Sequence, residues 1–169
     1  MKDPHVGLAG LGARDSLRIE AGLCLHGHEM SNEINPFQAG LMWTVNKRQP
    51  NDERVKFIGE DVLKKIVQDN KSGERKDQKR VGFQLDAAGI IRENVPLYNS
   101  NGEQIGKTTS GGYSPVLKKC VGMAYVDAGY TKSGTKLEAE QREKRHPLTV
   151  TKMPIVPSRY YKGWNDFIN

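Results

Sequence analysis

RVGFQLDAAGIIRENVPLYNSNGEQIGKTT, residues Arg80–Thr109, decides the fold. Val81, Phe83 and Leu85 alternate with small or polar residues, the period of two that marks a half-buried strand. Ala88-Gly89 is a turn, Val95 and Leu97 open a second strand, and Asn99–Gly102 carries hairpin-turn chemistry. Glu103–Thr109 is a third strand. Further along, Cys120–Val126, Leu137–Arg142 and Leu148–Met153 raise the count to about six short strands, at the spacing of a barrel or sandwich. Ser110-Gly111-Gly112-Tyr113-Ser114-Pro115 reads as a tight turn between strands. It lacks the Lys-Ser/Thr of a phosphate-binding loop.

Working back from Arg80, Lys71–Lys79 is charged and has no apolar residue. It carries Glu74 and Asp77 and no aromatic for base stacking, so it reads as a solvated loop and not an RNA contact. Gly59 to Asn70 predicts a helix: Glu60 and Asp61 open it, Val62, Leu63, Ile66 and Val67 form one apolar face, and Asn70 ends it. Glu60–Lys64 and Asp61–Lys65 add opposite charges one turn apart. Gln49-Pro50-Asn51-Asp52 looks like a boundary, dividing the chain into residues 1–51 and 52–169. The expected class is α+β, mainly β: an antiparallel barrel-like domain with a leading helix, preceded by a helix-containing segment.

In that first segment GLGARDSLRIEAGLCLHG, Gly10–Gly27, is the most structured stretch. Asp15 and Ser16 are expected to cap a helix, Glu20 to reinforce its first turn and Gly22 to stop it. Arg14 and Arg18 stand one turn apart, well shaped for carboxylates. Leu23 and Leu25 alternate like a short strand. Pro36 can open a short helix containing Phe37 and Ala39, and Leu41, Trp43 and Val45 read as a strand.

Composition narrows the function. Hydrophobic residues make up 36% and charged residues 27% of the 169, with a net charge of +6. The positive excess is spread along the chain, which argues against a nucleic-acid face. No apolar run reaches membrane-spanning length. Cys24 and Cys120 lie far apart in sequence and read as reduced thiols. Cys24, His26 and His28 alternate like ligands on one strand face, but with no second cluster and no CxxC a metal site is not expected. Gly7–Gly12 is glycine-dense without the spacing of a dinucleotide fingerprint.

GLGARDSLRIEAGLCLHG resembles the signature of the aminomethyltransferase (T-protein) of the glycine cleavage system. Three further blocks in the same order carry the resemblance: PFQAGLMWTVNKR (Pro36–Arg48), NGEQIGKTTSGGYSPVLKK (Asn101–Lys119) and VTKMPIVPSRYY (Val150–Tyr161). The match is to the later part of that family. It implies that residues 1–51 belong to the folate-binding body and 52–169 to the C-terminal barrel domain. It also implies transfer of a methylene from the aminomethyl-lipoyl arm of the H-protein to tetrahydrofolate, with release of ammonia. Tetrahydrofolate would be a substrate, no metal would be needed, and the lipoylated H-protein would be the partner, without nucleic acid or membrane. Arg14, Trp43 and Tyr160 are the folate-contacting residues that the resemblance transfers; Arg18 and Arg92 are weaker candidates with structural ion pairing as the other reading. The catalytic aspartate and the pterin-reading glutamate are expected outside this chain, so the 169 residues alone are expected to be inactive. Leu17, Leu23, Leu25, Leu41 and Trp43 would leave an apolar patch, so the chain is expected either to self-associate through residues 1–51 or to leave that region mobile while 52–169 stay ordered. The implied compartment is the mitochondrial matrix in a eukaryote and the cytoplasm in a bacterium. His26 and Gln38 depart from the family's usual tyrosine and glutamate. The folate-binding domain of a sarcosine or dimethylglycine oxidase, and a non-catalytic interaction domain, are the alternative readings.

Overall fold

The computed structural model describes residues 5–45 and 57–159. Six antiparallel strands close into a barrel: β1 (Lys79–Leu85), β2 (Pro96–Tyr98), β3 (Gln104–Ser114), β4 (Lys119–Val126), β5 (Lys136–Gln141) and β6 (Lys144–Thr151). The order around the barrel is β1-β4-β3-β2-β5-β6, and β6 returns to β1 through Gly82↔Thr151 to Leu85↔Leu148. Closure leaves no open edge to template aggregation. Phe83, Leu97, Ala139 and Leu148, each 0% exposed, fill the interior with Val126 and Val150.

All six strands expected from alternation are present, with boundaries moved by a few residues. The main difference lies in β3. Ser110–Ser114 continues the strand, and the turn falls after it, at residues 115–118. The glycines there serve close packing. A Cβ on Gly111 would lie 2.1 Å from the Ile91 carbonyl oxygen, and one on Gly122 would lie 2.2 Å from Ser110 O and 2.4 Å from the Phe83 ring. These positions need the absence of a side chain, not a turn conformation.

Two helices precede the barrel: α1 (Leu11–Glu20) and α2 (Glu60–Ser72). α2 starts after Gly59 and runs two residues past Asn70 to Gly73, both glycines having positive φ. Lys64 Nζ meets Glu60 Oε1 at 2.6 Å as the spacing predicted. The Asn70 side chain holds the exit loop, donating to Asp77 and accepting from the Asp77 N–H.

α1 packs on the outside of β3 and β4. Ile19 joins Val121, Met123 and Ile155 in a small second core there. Gly10 is the N-cap and no side chain caps the helix. Asp15 lies a full turn inside and pairs with Arg18, while Ser16 Oγ donates to the Ala13 carbonyl, so neither caps as expected. Glu20 is the last helical residue and is buried at 5% exposure. Gly22 terminates the helix as expected: at φ 69° its N–H bonds Ile19 O while the Leu23 N–H bonds Arg18 O, a Schellman closure.

Residues 23–45 do not form the two strands that their alternation suggests. Leu23–Leu25 is irregular, with one isolated bridge between His26 and Met30. Residues 36–40 are turns in which Asn35 and Gln38 exchange side chain–backbone hydrogen bonds, in place of a short helix. Met42–Thr44 is one turn of 3-10 helix. The segment lacks strand partners because all six barrel strands already have both neighbours. Arg80 holds it instead: Nε donates to Ala39 O at 2.8 Å and Nη1 to Gly22 O at 2.7 Å. The boundary expected near residue 51 lies outside the described residues.

Candidate functional site

A register shift between Thr108 and Ser110 against β4 gives β3 one extra residue. Neighbouring strand residues normally point to opposite faces; a bulge breaks that rule. Here Thr109 and Ser110 both reach Glu29. Thr109 Oγ1 donates to Glu29 Oε1 at 2.6 Å, and Ser110 Oγ donates to the same oxygen. Glu29 Oε2 accepts from Arg18 Nη1 at 2.9 Å and from the Leu25 N–H at 3.0 Å. The Tyr125 hydroxyl donates to the Glu29 carbonyl at 2.8 Å. Burial pushes the Tyr125 phenol well above its usual range, with nearby Cys24 and Glu29 adding to the effect, so it remains a donor. Glu29 has no exposed surface, and its carboxylate is satisfied on both oxygens.

A second tie lies two residues further along α1, at Glu20. Ser114 Oγ donates to Glu20 Oε1, and the Ile155 and Val156 amides donate to the Glu20 carbonyl at 2.9 and 3.0 Å. The chain after the barrel is thereby led alongside α1.

These ties shape a cavity of about 1280 Å³ between α1, residues 23–28, the Arg92–Glu93 turn, Ser110–Gly111 of β3 and Val156–Arg159. Its wall is mostly apolar, with Leu11, Leu17 and Leu23 beside Ala9, Ala13 and Ala21. Arg14 lines it and has no carboxylate partner among the described residues. Arg92 lines it too, with a long contact of 3.4 Å to Gly111 O. Arg18 also lines it and is engaged by Asp15, Glu29 and Ser110, the ion pairing that was its other reading. The two arginines therefore differ in engagement: both line the cavity, but Arg18 is held by Glu29 and Ser110 and Arg14 has no such tie among the described residues.

Trp43 is 62% exposed and is not among the residues lining this cavity. Tyr160 lies outside the described residues, one position beyond Arg159 on the rim. Alternation alone could not reveal Glu93, Ser110 or Gly111 as lining residues, because the β1–β2 turn and the β3 bulge bring them there. Glu29 had no signal either, as a single acid in a turn-rich segment.

The Cys24, His26 and His28 set does not share one face, since its segment is not a strand. Cys24 is half-buried; burial pushes its thiol up, only partly offset by Arg80, so it is a neutral thiol near pH 7. His26 is exposed. His28 Nδ1 sits 2.7 Å from Glu93 Oε2 and 3.1 Å from Thr109 O. No cluster of three or more metal-binding side chains occurs among the described residues, and no described helix is long and apolar enough to cross a membrane.

The family model of the glycine cleavage T-protein C-terminal barrel domain matches residues 78–157, and that of the GCVT N-terminal domain matches residues 2–49. The mitochondrial aminomethyltransferase of Flaveria anomala is 46% identical over 157 residues, covering 93% of this chain and 37% of that protein. The corresponding Homo sapiens protein is 44% identical over 161 residues, covering 95% and 38%. The crystal structure of glycine cleavage system aminomethyltransferase T from Bartonella henselae superposes with a TM-score of 0.83 at 36% identity, over 95% of this chain and 43% of that one. The chain thus spans well under half the length of the relatives it matches. It belongs to the aminomethyltransferase (T-protein) family of the glycine cleavage system, and its barrel is that family's C-terminal barrel domain.

Proposed function

We propose that these residues supply one wall of an aminomethyltransferase site. There the methylene of an aminomethyl group on the lipoyl arm of the H-protein passes to tetrahydrofolate, and ammonia leaves. One observation carries the reading: Arg14, a guanidinium with no carboxylate partner among the described residues, on the apolar wall of a cavity large enough for a folate. A pterin and an aminobenzoate ring favour apolar and aromatic walls, and a glutamate tail favours a planar guanidinium fork. Arg14 is assigned to that tail and Tyr160 to a ring. Trp43, exposed and off the described wall, is assigned a lesser contact.

Orientation supplies much of the rate in such a transfer, and this chain contributes it by rigidity. The Arg18–Glu29 pair and the Glu20–Ser114 tie fix α1, and with it the Arg14 backbone, against the barrel. The carboxylates on the wall already have partners: Asp15 has Arg18, Glu20 has Ser114, and Glu93 has His28. By likeness to the family, the catalytic carboxylate is assigned to polypeptide outside these residues, which alone should show no transfer. The compartment would be the mitochondrial matrix in a eukaryotic source, as for the mitochondrial relatives, and the cytoplasm in a bacterial one. Equilibrium titration of tetrahydrofolate into a polypeptide carrying both this region and the preceding part of the family fold tests the reading. Wild-type affinity in Arg14→Ala would overturn the Arg14 assignment, and no folate affinity at all would overturn the function.

A further inference from the structure

We propose that Met153 is an oxidation site: hydrogen peroxide converts its thioether to the sulfoxide, and the added oxygen loosens α1 from the barrel. Atoms and electrons balance within that pair of reactants. The peroxide O–O bond breaks, one oxygen bonds to Sδ, and the other leaves as water with both protons. Sulfur gives up two electrons and the peroxide takes them.

The surroundings of the sulfur set the site. Met153 follows β6 and packs, partly buried, on the small core that Ile19 of α1 makes with Val121, Met123 and Ile155. It is wedged between two glycines. A Cβ on Gly22, at the stop of α1, would lie 2.9 Å from Met153 Cβ and 3.3 Å from Sδ. One on Gly82 of β1 would lie 3.0 Å from Met153 Cγ. The side chain therefore joins the end of α1 to the barrel wall, close-packed on both sides. Met123, the other sulfur of that core, is fully buried and shielded from an oxidant, whereas Met153 keeps part of its surface in solvent.

The neighbouring guanidinium decides the consequence. Arg80 Nη1 has two N–H groups and meets three acceptors: Gly22 O at 2.7 Å, Met123 Sδ at 3.1 Å and Met153 Sδ at 3.6 Å. A thioether is a weak acceptor, so the Gly22 carbonyl holds the short bond. A sulfoxide oxygen on Met153 is a far stronger acceptor beside the same nitrogen. It competes with Gly22 O for Nη1, and it puts a polar atom against a core of apolar side chains. Both effects fall on one place, the Gly22 stop of α1 and Ile19 just before it. α1 carries Arg14 and much of the cavity wall, so the wall loosens with it. A thiol-dependent sulfoxide reductase reverses the change.

The test exposes the 169-residue chain to hydrogen peroxide, locates the added oxygen by peptide mass mapping and follows amide exchange. Met30 and Met42 are also partly exposed, so Met153→Leu is treated in parallel to subtract their oxidation. Leucine replaces methionine at nearly constant volume, so the untreated variant should exchange like wild type. The expected result is one oxygen on Met153 and none on Met123. Exchange at Leu17–Leu23 should then rise by about tenfold, the scale of one poorly satisfied buried polar group, with β5 and β6 unchanged. Treated Met153→Leu should show no such rise, and a sulfoxide reductase should return wild type to slow exchange. The reductase arm uses no substitution, so it decides even where the variant packs differently. Met153 left unmodified while Met30 and Met42 are oxidised, unchanged exchange after its oxidation, or the same rise in Met153→Leu would overturn the proposal.

Discussion

Arg18 Nη1 donates to Glu29 Oε2 at 2.9 Å, and through that one carboxylate α1 is joined to both Thr109 and Ser110 of β3. Arg18 keeps Asp15 if Glu29 is removed, but the Thr109 and Ser110 hydroxyls and the Leu25 N–H lose their acceptor. Glu29→Ala should therefore destabilise the packing of residues 11–30 by about 1–3 kcal/mol, the usual cost of a buried polar group left unsatisfied. Glu29→Gln retains an acceptor and should lose less. Urea unfolding with amide exchange checks this: exchange in α1 should rise while β1 and β4 stay protected. Wild-type exchange in Glu29→Ala would show that the network contributes nothing.

Gly122 tests the close packing between β3, β4 and Phe83. A Cβ there would meet a backbone oxygen at 2.2 Å and an aromatic ring at 2.4 Å, and the ring is fully buried. Overpacking of a tight interior costs about 1–3 kcal/mol, and occasionally more. Gly122→Ala should fall at or above the top of that range. Gly129, with nothing within 4 Å of its added Cβ, should accept alanine almost without change. Thermal unfolding of the two variants side by side gives the comparison.

These two sites also show what the sequence could and could not reveal. The strands were legible because Val81, Phe83 and Leu85, or Leu148 and Val150, write their burial locally, in a period of two. Ser110–Ser114 was misread because Gly111 answers to Ile91 and Phe83, residues remote in sequence. For Glu29 the cause is similar: its partners lie 4, 11, 80 and 81 residues away. Helical spacing makes Arg14 equivalent to Arg18, and only the third dimension shows that Arg18 is tied to Glu29 and Ser110.

Within the completed fold, Arg14→Ala should weaken tetrahydrofolate by about 1.5–3 kcal/mol, the scale of a hydrogen bond to a charged group. Arg14→Lys should recover part of that, lacking the planar fork. Trp43→Ala should cost clearly less than Arg14→Ala, given that Trp43 is absent from the described cavity wall. Calorimetric titration of the three variants decides the order. A larger loss for Trp43→Ala would reverse the ranking.

Asp86 gives a pH signature far from the cavity. Burial pushes its carboxyl up, but hydrogen bonds from Thr149 and Lys136 outweigh this, and the group titrates below the ordinary aspartate range. A carboxyl depressed in the folded state stabilises it above the unfolded value, about 3.9, and loses that contribution as pH falls through the lower folded value. Asp86→Asn should thus reduce stability at neutral pH, with the difference from wild type shrinking as the solution is acidified. Melting curves from neutral pH into the acid range measure it, and a difference independent of pH would rule out the ionic contribution.

The two short contacts of the Arg80 guanidinium are both to carbonyl oxygens, those of Ala39 and Gly22. Every residue type offers the same carbonyl, so this clamp recognises where the chain runs and is indifferent to what it is made of. Away from Glu29, substitutions in the irregular stretch from 23 to 45 can accumulate without loosening it, provided the backbone keeps its course. A change at Arg80 has no such latitude, because no other side chain offers the same fork of donors to two separate loops. The least regular part of the molecule is thus anchored by one of its least replaceable residues.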